Sequence, residues 1–319
     1  AVAISPDGAT IAIGAPGAGG GAGTAAVFTR PGSDWSDDDT PTATLVPPAS
    51  VTGDKFGTAV AIDGGMVAVG APGTASLGMA GAGAAHVFDG TTRIATLEPD
   101  PQSADVDTAF GASLALSGGR LVVGAPNENI GGRPDGGAVR LYEVDASSVG
   151  APTLLVPPGT DFNKWGASVA IDGRTVVGGA PGAGGANGAA FVFQAADGGM
   201  VLRARLDGGP DSAGAGMGGS IAVSGDYILV GAPLADVGGR ADQGRAFVFL
   251  QPEGGWRDAA ANGSLVAADG AAGDGYGSAV SLSRRGAAIG IPKRDLGSEA
   301  DQGQADSFIL DRIFRGAFE

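Results

Sequence analysis

An all-β fold, a β-propeller of four-stranded antiparallel blades, is what this sequence predicts. Three observations carry the prediction. A Gly-Ala-Pro phrase ends at Pro16, Pro72, Pro126, Pro181 and Pro233 and returns as Gly-Ile-Pro at Pro292, with spacings of 56, 54, 55, 52 and 59 residues. A large apolar residue followed by glycine opens the units: Phe56-Gly57, Phe110-Gly111, Trp165-Gly166, Met217-Gly218 and Tyr276-Gly277. Between these marks lie four strand-length runs per unit, and repetition of four-stranded sheets at this period is the propeller signature. Linear β-solenoids repeat over roughly twenty to thirty residues and do not fit.

The clearest unit begins at Phe56. Thr58 to Ile62 is strand A and Met66 to Val69 strand B, both of small or β-branched residues suited to a pleated sheet. Asp63-Gly64 supplies the positive-φ tolerance of a tight hairpin turn. Pro72 ends strand B because proline has no N–H for the ladder. Ala85 to Phe88 and Arg93 to Leu97 complete the unit as strands C and D. In a propeller the aromatic before the glycine packs between neighbouring sheets, and the glycine admits a close backbone approach.

The other units follow this template. Unit one, residues 1–55, begins inside the pattern, with Val2 matching Val60. It continues with Thr10 to Gly14, Ala25 to Phe28 and Thr42 to Val46. Unit three, 110–164, reads Leu114 to Leu116, Leu121 to Val123, Val139 to Val144 and Thr153 to Val156. Unit four, 165–216, reads Ser168 to Ile171, Thr175 to Val177, Ala189 to Phe193 and Val201 to Leu206. Unit five, 217–275, reads Ser220 to Val223, Tyr227 to Val230, Ala246 to Leu250 and Ser264 to Ala267. Unit six, 276–319, has a weak strand B at Ala287 to Ile289, strand C at Ala305 to Leu310, and only Asp311 to Glu319 for a short fourth strand. The chain reads as one propeller domain with six visible blades, and its end units leave room for a seventh from outside residues 1–319.

Composition narrows the function classes. Glycine is 61 of 319 residues, about three times ordinary usage, without a collagen period. The hydrophobic share of 43% argues against disorder. A net charge of −15 excludes nucleic acid as an expected partner and suits a basic surface or a divalent cation. There is no cysteine, hence no disulfide, and no apolar run long enough for a membrane span.

The repeat resembles the FG-GAP repeat, the propeller repeat of integrin α chains. The resemblance rests on Phe56-Gly57 with Gly70-Ala71-Pro72, Phe110-Gly111 with Gly124-Ala125-Pro126, and Tyr276-Gly277 with Gly290-Ile291-Pro292. Ala268-Asp269-Gly270 and Gly273-Asp274, before Tyr276, are similar to the family's inter-blade connection. The resemblance implies an extracellular or cell-surface adhesion, binding or scaffold module. Many repeats of that family carry an Asp-rich calcium loop between strands A and B. Here the connection is Asp63-Gly64, Ser117-Gly118-Gly119, Asp172-Gly173, Ser224-Gly225-Asp226 or Ser283 to Gly286. These are too short to wrap six to eight oxygen ligands, so the expectation is a short-hairpin variant without those sites.

The residues that can carry chemistry are few. The sole histidine, His86, lies in strand C where other units carry Phe191 and Phe247, so packing is its expected role. Asp37-Asp38-Asp39 reads as a solvated loop beside Trp35. Trp35 and Trp256 occupy matching places before strand D and read as packing, with a carbohydrate platform as the second reading. Gly17 to Gly23 lacks the Gly-Lys-Ser/Thr of a phosphate loop, and no helix is expected there. The B–C loops form the expected binding face: Asn127, Glu128, Asn129 and Asp135; Asp236 and Asp242; Asp295 and Asp301. Asp236, Asp242, Asp295, Glu299 and Asp301 are the candidates for weak Ca²⁺ binding, and no other cofactor is expected. Asn262-Gly263-Ser264 fits an N-glycosylation acceptor. The expected function is non-catalytic binding of a protein or glycan, or assembly, through this loop face. The competing reading is a polysaccharide hydrolase or lyase with paired carboxylates at the channel mouth.

Overall fold

The computed structural model describes residues 1–35, 40–159 and 161–309. It is a six-bladed β-propeller built mostly of four-stranded antiparallel sheets, three blades in each of two compact units, Ala1–Val156 and Pro157–Glu319. In the first unit, blade one comprises Val2–Ile4, Thr10–Ala15, Thr24–Thr29 and Ala43–Leu45. Blade two comprises Ala59–Asp63, Met66–Ala71, Ala84–Asp89 and Thr92–Leu97, and blade three Ser113–Ser117, Arg120–Ala125, Ala138–Glu143 and Thr153–Leu155. Strands A to D run in sequence order across each sheet.

In the second unit, blade four comprises Ser168–Asp172, Thr175–Ala180, Ala189–Ala196 and Gly199–Asp207. A two-residue strand, Ala259–Ala260, extends it as a parallel fifth strand beside Leu206 and Asp207, which the sequence pattern does not announce. Blade five comprises Ser220–Ser224, Tyr227–Ala232, Arg245–Leu250 and Gly263–Leu265. Blade six shows Ala279–Leu282, Gly286–Ile291 and Gln304–Ile309, and the fourth strand expected at Asp311 to Glu319 lies outside the described residues.

Within each unit the blades are joined by a clasp of one large apolar residue followed by glycine. Phe56 donates its backbone N–H to Ala22 O of blade one at 3.0 Å, and Gly57 donates to Gly70 O of blade two at 2.9 Å. The pattern repeats at Phe110 to Ala82 and Gly111 to Gly124, and at Tyr276 to Gln243 and Gly277 to Gly290. The dipeptide is thus bonded to the preceding blade through one residue and to its own blade through the next. Phe56, Phe110, Met217 and Tyr276 are fully buried by this arrangement.

The glycine of Gly-Ala-Pro exists for the same contact. A Cβ on Gly70 would stand 2.0 Å from Gly111 O, and one on Gly231 would stand 2.0 Å from Gly277 O. Ser168 and Ser220 add hydroxyl bonds of 2.7 Å to Gly218 O and Gly277 O of the following blades. Blade four carries the largest clasp residue, Trp165, and pairs it with Gly178 where blades two, three and five have Val69, Val123 and Val230. A Cβ on Gly178 would lie 2.4 Å from the indole. Enlarging the ring therefore required removing the side chain beneath it.

The A–B hairpins of blades two to five turn through two residues. Asp63 pairs with Met66, so Gly64-Gly65 are the central residues and Asp63 closes the strand, one place earlier than its Asp-Gly signature implies. The freed carboxylate accepts the N–H of Gly118, in the next blade's turn, at 2.6 Å. Asp172 accepts from Gly225 in the same way, at 2.7 Å. The expected loop at Gly17 to Gly23 contains a four-residue helical turn, Ala18–Gly21, which Gly19 and Gly20 break with φ near +59° and +71°.

Gly70→Ala is expected to force the clasp apart and cost about 3 kcal/mol, the upper end of overpacking penalties. Gly17→Ala, which meets no atom within 4 Å, is expected to change stability by less than about 0.5 kcal/mol. Paired chemical denaturation curves check both.

Candidate functional site

The binding-face loops form one recurring structure. Ile130 bridges Arg133, Val237 bridges Arg240 and Leu296 bridges Glu299 as miniature hairpins. Asn129 Oδ1 accepts the N–H of Asp135 at 3.1 Å, Asp236 that of Asp242 at 3.1 Å, and Asp295 that of Asp301 at 2.9 Å. Asp135, Asp242 and Asp301 have φ near +53°, +52° and +53°, a region that Asp and Asn tolerate better than bulkier residues. Asn129, Asp236 and Asp295 therefore hold their own loops, while Asp135, Asp242, Asp301 and Glu299 are exposed. Asn127 Nδ2 donates to Asp107 O at 2.8 Å, tying its loop to the inter-blade connection. Among the described residues no group of three or more His, Asp or Glu side chains stands close enough to hold a metal ion, so Asp295, Glu299 and Asp301 do not form such a group.

Glu128 leaves the binding face altogether. It is fully buried, and its carboxylate receives Arg140 Nη1 and Nη2 at 2.5 Å each. Ser103 Oγ donates to the same carboxylate, and the Arg140 guanidinium lies 5.8 Å from the Phe110 ring centroid. The sequence shows an acid in a loop; its partner lies twelve residues away, inside a strand of hydrophobic pattern.

Register explains that pairing. The residue two after each Gly-Ala-Pro proline and the third residue of strand C occupy equivalent places in every blade. In blade three they are Glu128 and Arg140. In blade four they are Ala183 and Phe191, and in blade five Ala235 and Phe247, all buried. In blade two they are Thr74 and His86. In blades two, three and four the third residue of strand C lies by the blade's clasp ring: His86 is 5.3 Å from Phe56, the Arg140 guanidinium 5.8 Å from Phe110 and Phe191 5.5 Å from Trp165.

His86 is thus the packing position the sequence implies, with chemistry added. It is 2% exposed, and its Nδ1 meets Thr96 Oγ1 at 3.1 Å. Its Nε2 and the nearby-placed Thr74 Oγ1 are buried without a partner among the described residues. Burial first, and the Arg93 charge second, push the imidazole down to about 4, so it is neutral at pH 7. A cleft of about 260 Å³ opens here, lined by Thr74, His86, Thr96, Asp54 and Glu98 with Pro47, Pro48 and Val51.

The remaining candidates separate. Trp256 is buried in the apolar cluster of blades four and five, with Phe247 and Phe249. Trp35 is 41% exposed, donates Nε1–H to Gly8 O at 3.2 Å, and walls a cleft of about 230 Å³ with Ile13, Phe28 and Pro31. Their matching sequence places hide opposite environments. Asn262 is exposed, and its Oδ1 accepts Leu250 N–H at 2.7 Å. Asp37-Asp38-Asp39 lies outside the described residues.

Comparison with known proteins agrees with this architecture. The FG-GAP repeat model matches residues 40–88 and 260–305. Each stretch runs from strand D of one blade through a clasp, Phe56-Gly57 or Tyr276-Gly277, to strand C of the next. A solved prolyl endopeptidase structure aligns over 92% of this chain and 37% of its own, with a TM-score of 0.55 and 13% identity. Hydrazine synthase of Kuenenia stuttgartiensis aligns over 99% of this chain and 78% of its own, with a TM-score of 0.60 and 14% identity. At these identities the likeness is one of fold alone. The chain spans little more than a third of the endopeptidase chain. A sequence comparison with curated proteins found no match. No helix of the described residues is long and apolar enough to cross a membrane.

Two outcomes follow. Glu128→Ala strands a buried guanidinium and is expected to cost about 3–5 kcal/mol. Glu128→Ala with Arg140→Phe recreates the Ala–Phe solution of blades four and five and is expected to recover most of that loss; a double-mutant cycle in urea measures both. For His86 the unfolded chain binds a proton below about pH 6.5 that the fold refuses until about pH 4. Stability is therefore full above that window and falls as pH drops through it, by about 3 kcal/mol at most. His86→Phe is expected to remove this segment of the pH–stability curve.

Proposed function

We propose that the chain is a non-catalytic, extracellular or cell-surface propeller module that binds another protein or a glycan through its B–C loops. One observation carries the reading: blades three, five and six present exposed carboxylates on loops of one shared, internally bonded form. Such loops lose little conformational freedom on binding, so their polar contacts are not offset by ordering. The net charge of −15 favours a partner surface that is basic or rich in hydroxyl donors. The FG-GAP match supports an adhesive or scaffolding role of the integrin-α kind. The two-residue A–B turns support the short-hairpin form of that repeat, because they cannot surround Ca²⁺ with enough oxygens.

The test uses the full chain against a glycan array and a panel of surface proteins. Asp135→Asn, Asp242→Asn and Asp301→Asn together keep residues that tolerate positive φ, so the melting temperature is expected to hold within a few degrees. Binding to the partner is expected to weaken at least tenfold and to fall with added salt. Excess chelator is expected to leave the melting temperature unchanged. Release of reducing ends from a polysaccharide by the purified chain would overturn the non-catalytic reading.

A further inference from the structure

We infer that blade six carries an exposed clasp socket, and that this socket takes a segment of a partner polypeptide: an apolar residue and a glycine leading into a β-hairpin of the same repeat. The socket is made of backbone and small side chains, and it does not require the acidic side chains of the B–C loops.

Blade five shows what such a socket holds. Its Ala241-Asp242-Gln243-Gly244 receives the chain entering blade six through three carbonyls. Ala241 O accepts from Gly273 N–H at 2.9 Å, Asp242 O from Gly275 at 3.1 Å and Gln243 O from Tyr276 at 2.8 Å. Gln243 Nε2 donates to Ala267 O, further back on the same segment, at 3.1 Å. Two glycines admit the clasp itself. A Cβ on Gly231 would stand 2.0 Å from Gly277 O, and one on Gly244 would stand 2.2 Å from Tyr276 O. Leu229, Ala246 and Val248 then form the face against which Val280, Leu282 and Ile289 of the incoming hairpin pack.

Blade six repeats each part of this socket. Ala300-Asp301-Gln302-Gly303 is the same tetrapeptide. Asp301 has the φ of Asp242, +53° against +52°, and Asp295 holds its loop as Asp236 holds the other. By register Gly290, Ala288 and Ala305 stand where Gly231, Leu229 and Ala246 stand. The surroundings differ. Among the described residues, a Cβ on Gly290 would meet nothing nearer than Ala279 Cβ at 3.4 Å, and one on Gly303 nothing nearer than Pro292 O at 3.1 Å, both within blade six. Gln243 is 1% exposed, and Leu229 and Ala246 are as deeply buried. Gln302, Ala288 and Ala305 are all exposed. Glycine inside a strand marks a close backbone approach, and at Gly290 the described chain makes none. The interface that joins blade five to blade six is therefore continued on blade six by a matching receiving surface, already in its receiving shape.

The chemistry selects a polypeptide. Carbonyls in a row at residues 300–302 call for successive N–H donors, and the Gln302 amide calls for a carbonyl, which an extended backbone supplies in fixed order. The incoming residue over Gly290 is glycine, because in blade five a Cβ on Gly277 would lie 2.5 Å from Arg245 O. The flat face of Ala288 and Ala305, flanked by Ser281 and Ser307, leaves room for Val, Ile or Leu on the hairpin. The apolar–glycine pairs of this chain, Phe56 to Tyr276, open blades two to six, so the segment is supplied by a partner.

The probe is the segment that blade five already receives, a synthetic peptide of residues 265–291 carrying a fluorophore. It is titrated against the full chain by anisotropy and calorimetry. Saturable one-to-one binding is expected, and a Gly277→Val peptide is expected to bind at least tenfold more weakly. In the protein, Gly290→Ala places a methyl where the incoming carbonyl belongs, yet meets only ordinary contacts in the chain alone. It is expected to weaken binding at least tenfold while the melting temperature holds. Ala288→Glu, at an exposed position, is the second variant and is expected to act likewise. The Asp135→Asn, Asp242→Asn and Asp301→Asn chain keeps every backbone group and is expected to bind the peptide as before, so failure here and failure of the loop-face reading are separable. Absence of saturable binding overturns the inference. Undiminished binding to both protein variants overturns it too, since the peptide would then be displacing blade six from blade five. Self-association of the chain that Gly290→Ala abolishes would assign the socket to a second copy, and overturns the inference as well.

Discussion

The structure depends on a backbone contact that only glycine permits. At each clasp within a unit, the chain passes from one sheet to the next through an apolar residue and a glycine, and that glycine's carbonyl lies where a Cβ of the preceding Gly-Ala-Pro glycine would be. The two backbones meet without side chains between them, so adjacent sheets are held at a fixed spacing. The buried ring then has one place to go, over strand C of its own blade. A single steric requirement thus sets blade spacing, ring position and the residue beneath the ring. Trp165 shows the coupling: the ring grew and Gly178 lost its side chain.

With the clasp fixed, variation moves to the pair below it. In blades two to five the residue two after the proline and the third residue of strand C read as Ala and Phe, Glu and Arg, or Thr and His, and each pair implies different energetics. Ala with Phe relies on apolar burial alone. Glu128 with Arg140 places two charges out of water, and the bidentate geometry with Ser103 offsets much of that cost; replacement by an apolar pair loses little, whereas removal of one partner loses a great deal. Thr74 with His86 does neither, because both keep an unmet bond. Blades two to five therefore offer equivalent frames that differ in how their polar groups are met.

The period of the proline phrase and the alternation within each unit made the sheets legible, because both are local signals. The clasp was legible too, since a bulky residue followed by glycine at a constant offset from a second glycine implies close approach. Pairings between distant residues were not. Glu128 reads as a surface acid because its neighbours are loop residues, while Arg140 hides among Val139 and Leu141. Asp63 reads as a turn former, yet its carboxylate reaches Gly118, fifty-five residues on. Trp35 and Trp256 match in position and differ in burial, since burial depends on what neighbouring elements cover. His86 was readable as packing, but the emptiness beside it is set by Pro47 to Val51, a connection whose path no periodicity encodes.

The acidic loops follow the same logic of spent and unspent groups. Asn129, Asp236 and Asp295 use a side-chain oxygen to fix a left-handed residue six positions later. Asn129, Asp236 and Asp295 thus hold their loops, and Asp135, Asp242 and Asp301 stand exposed at the residue each one fixes. Each loop presents exposed carboxylate on a short hairpin: Asp135 in blade three, Asp236 and Asp242 in blade five, and Asp295, Glu299 and Asp301 in blade six. Spaced charges of this kind attract an extended basic or hydroxylated surface without gathering the oxygens that a bound cation requires.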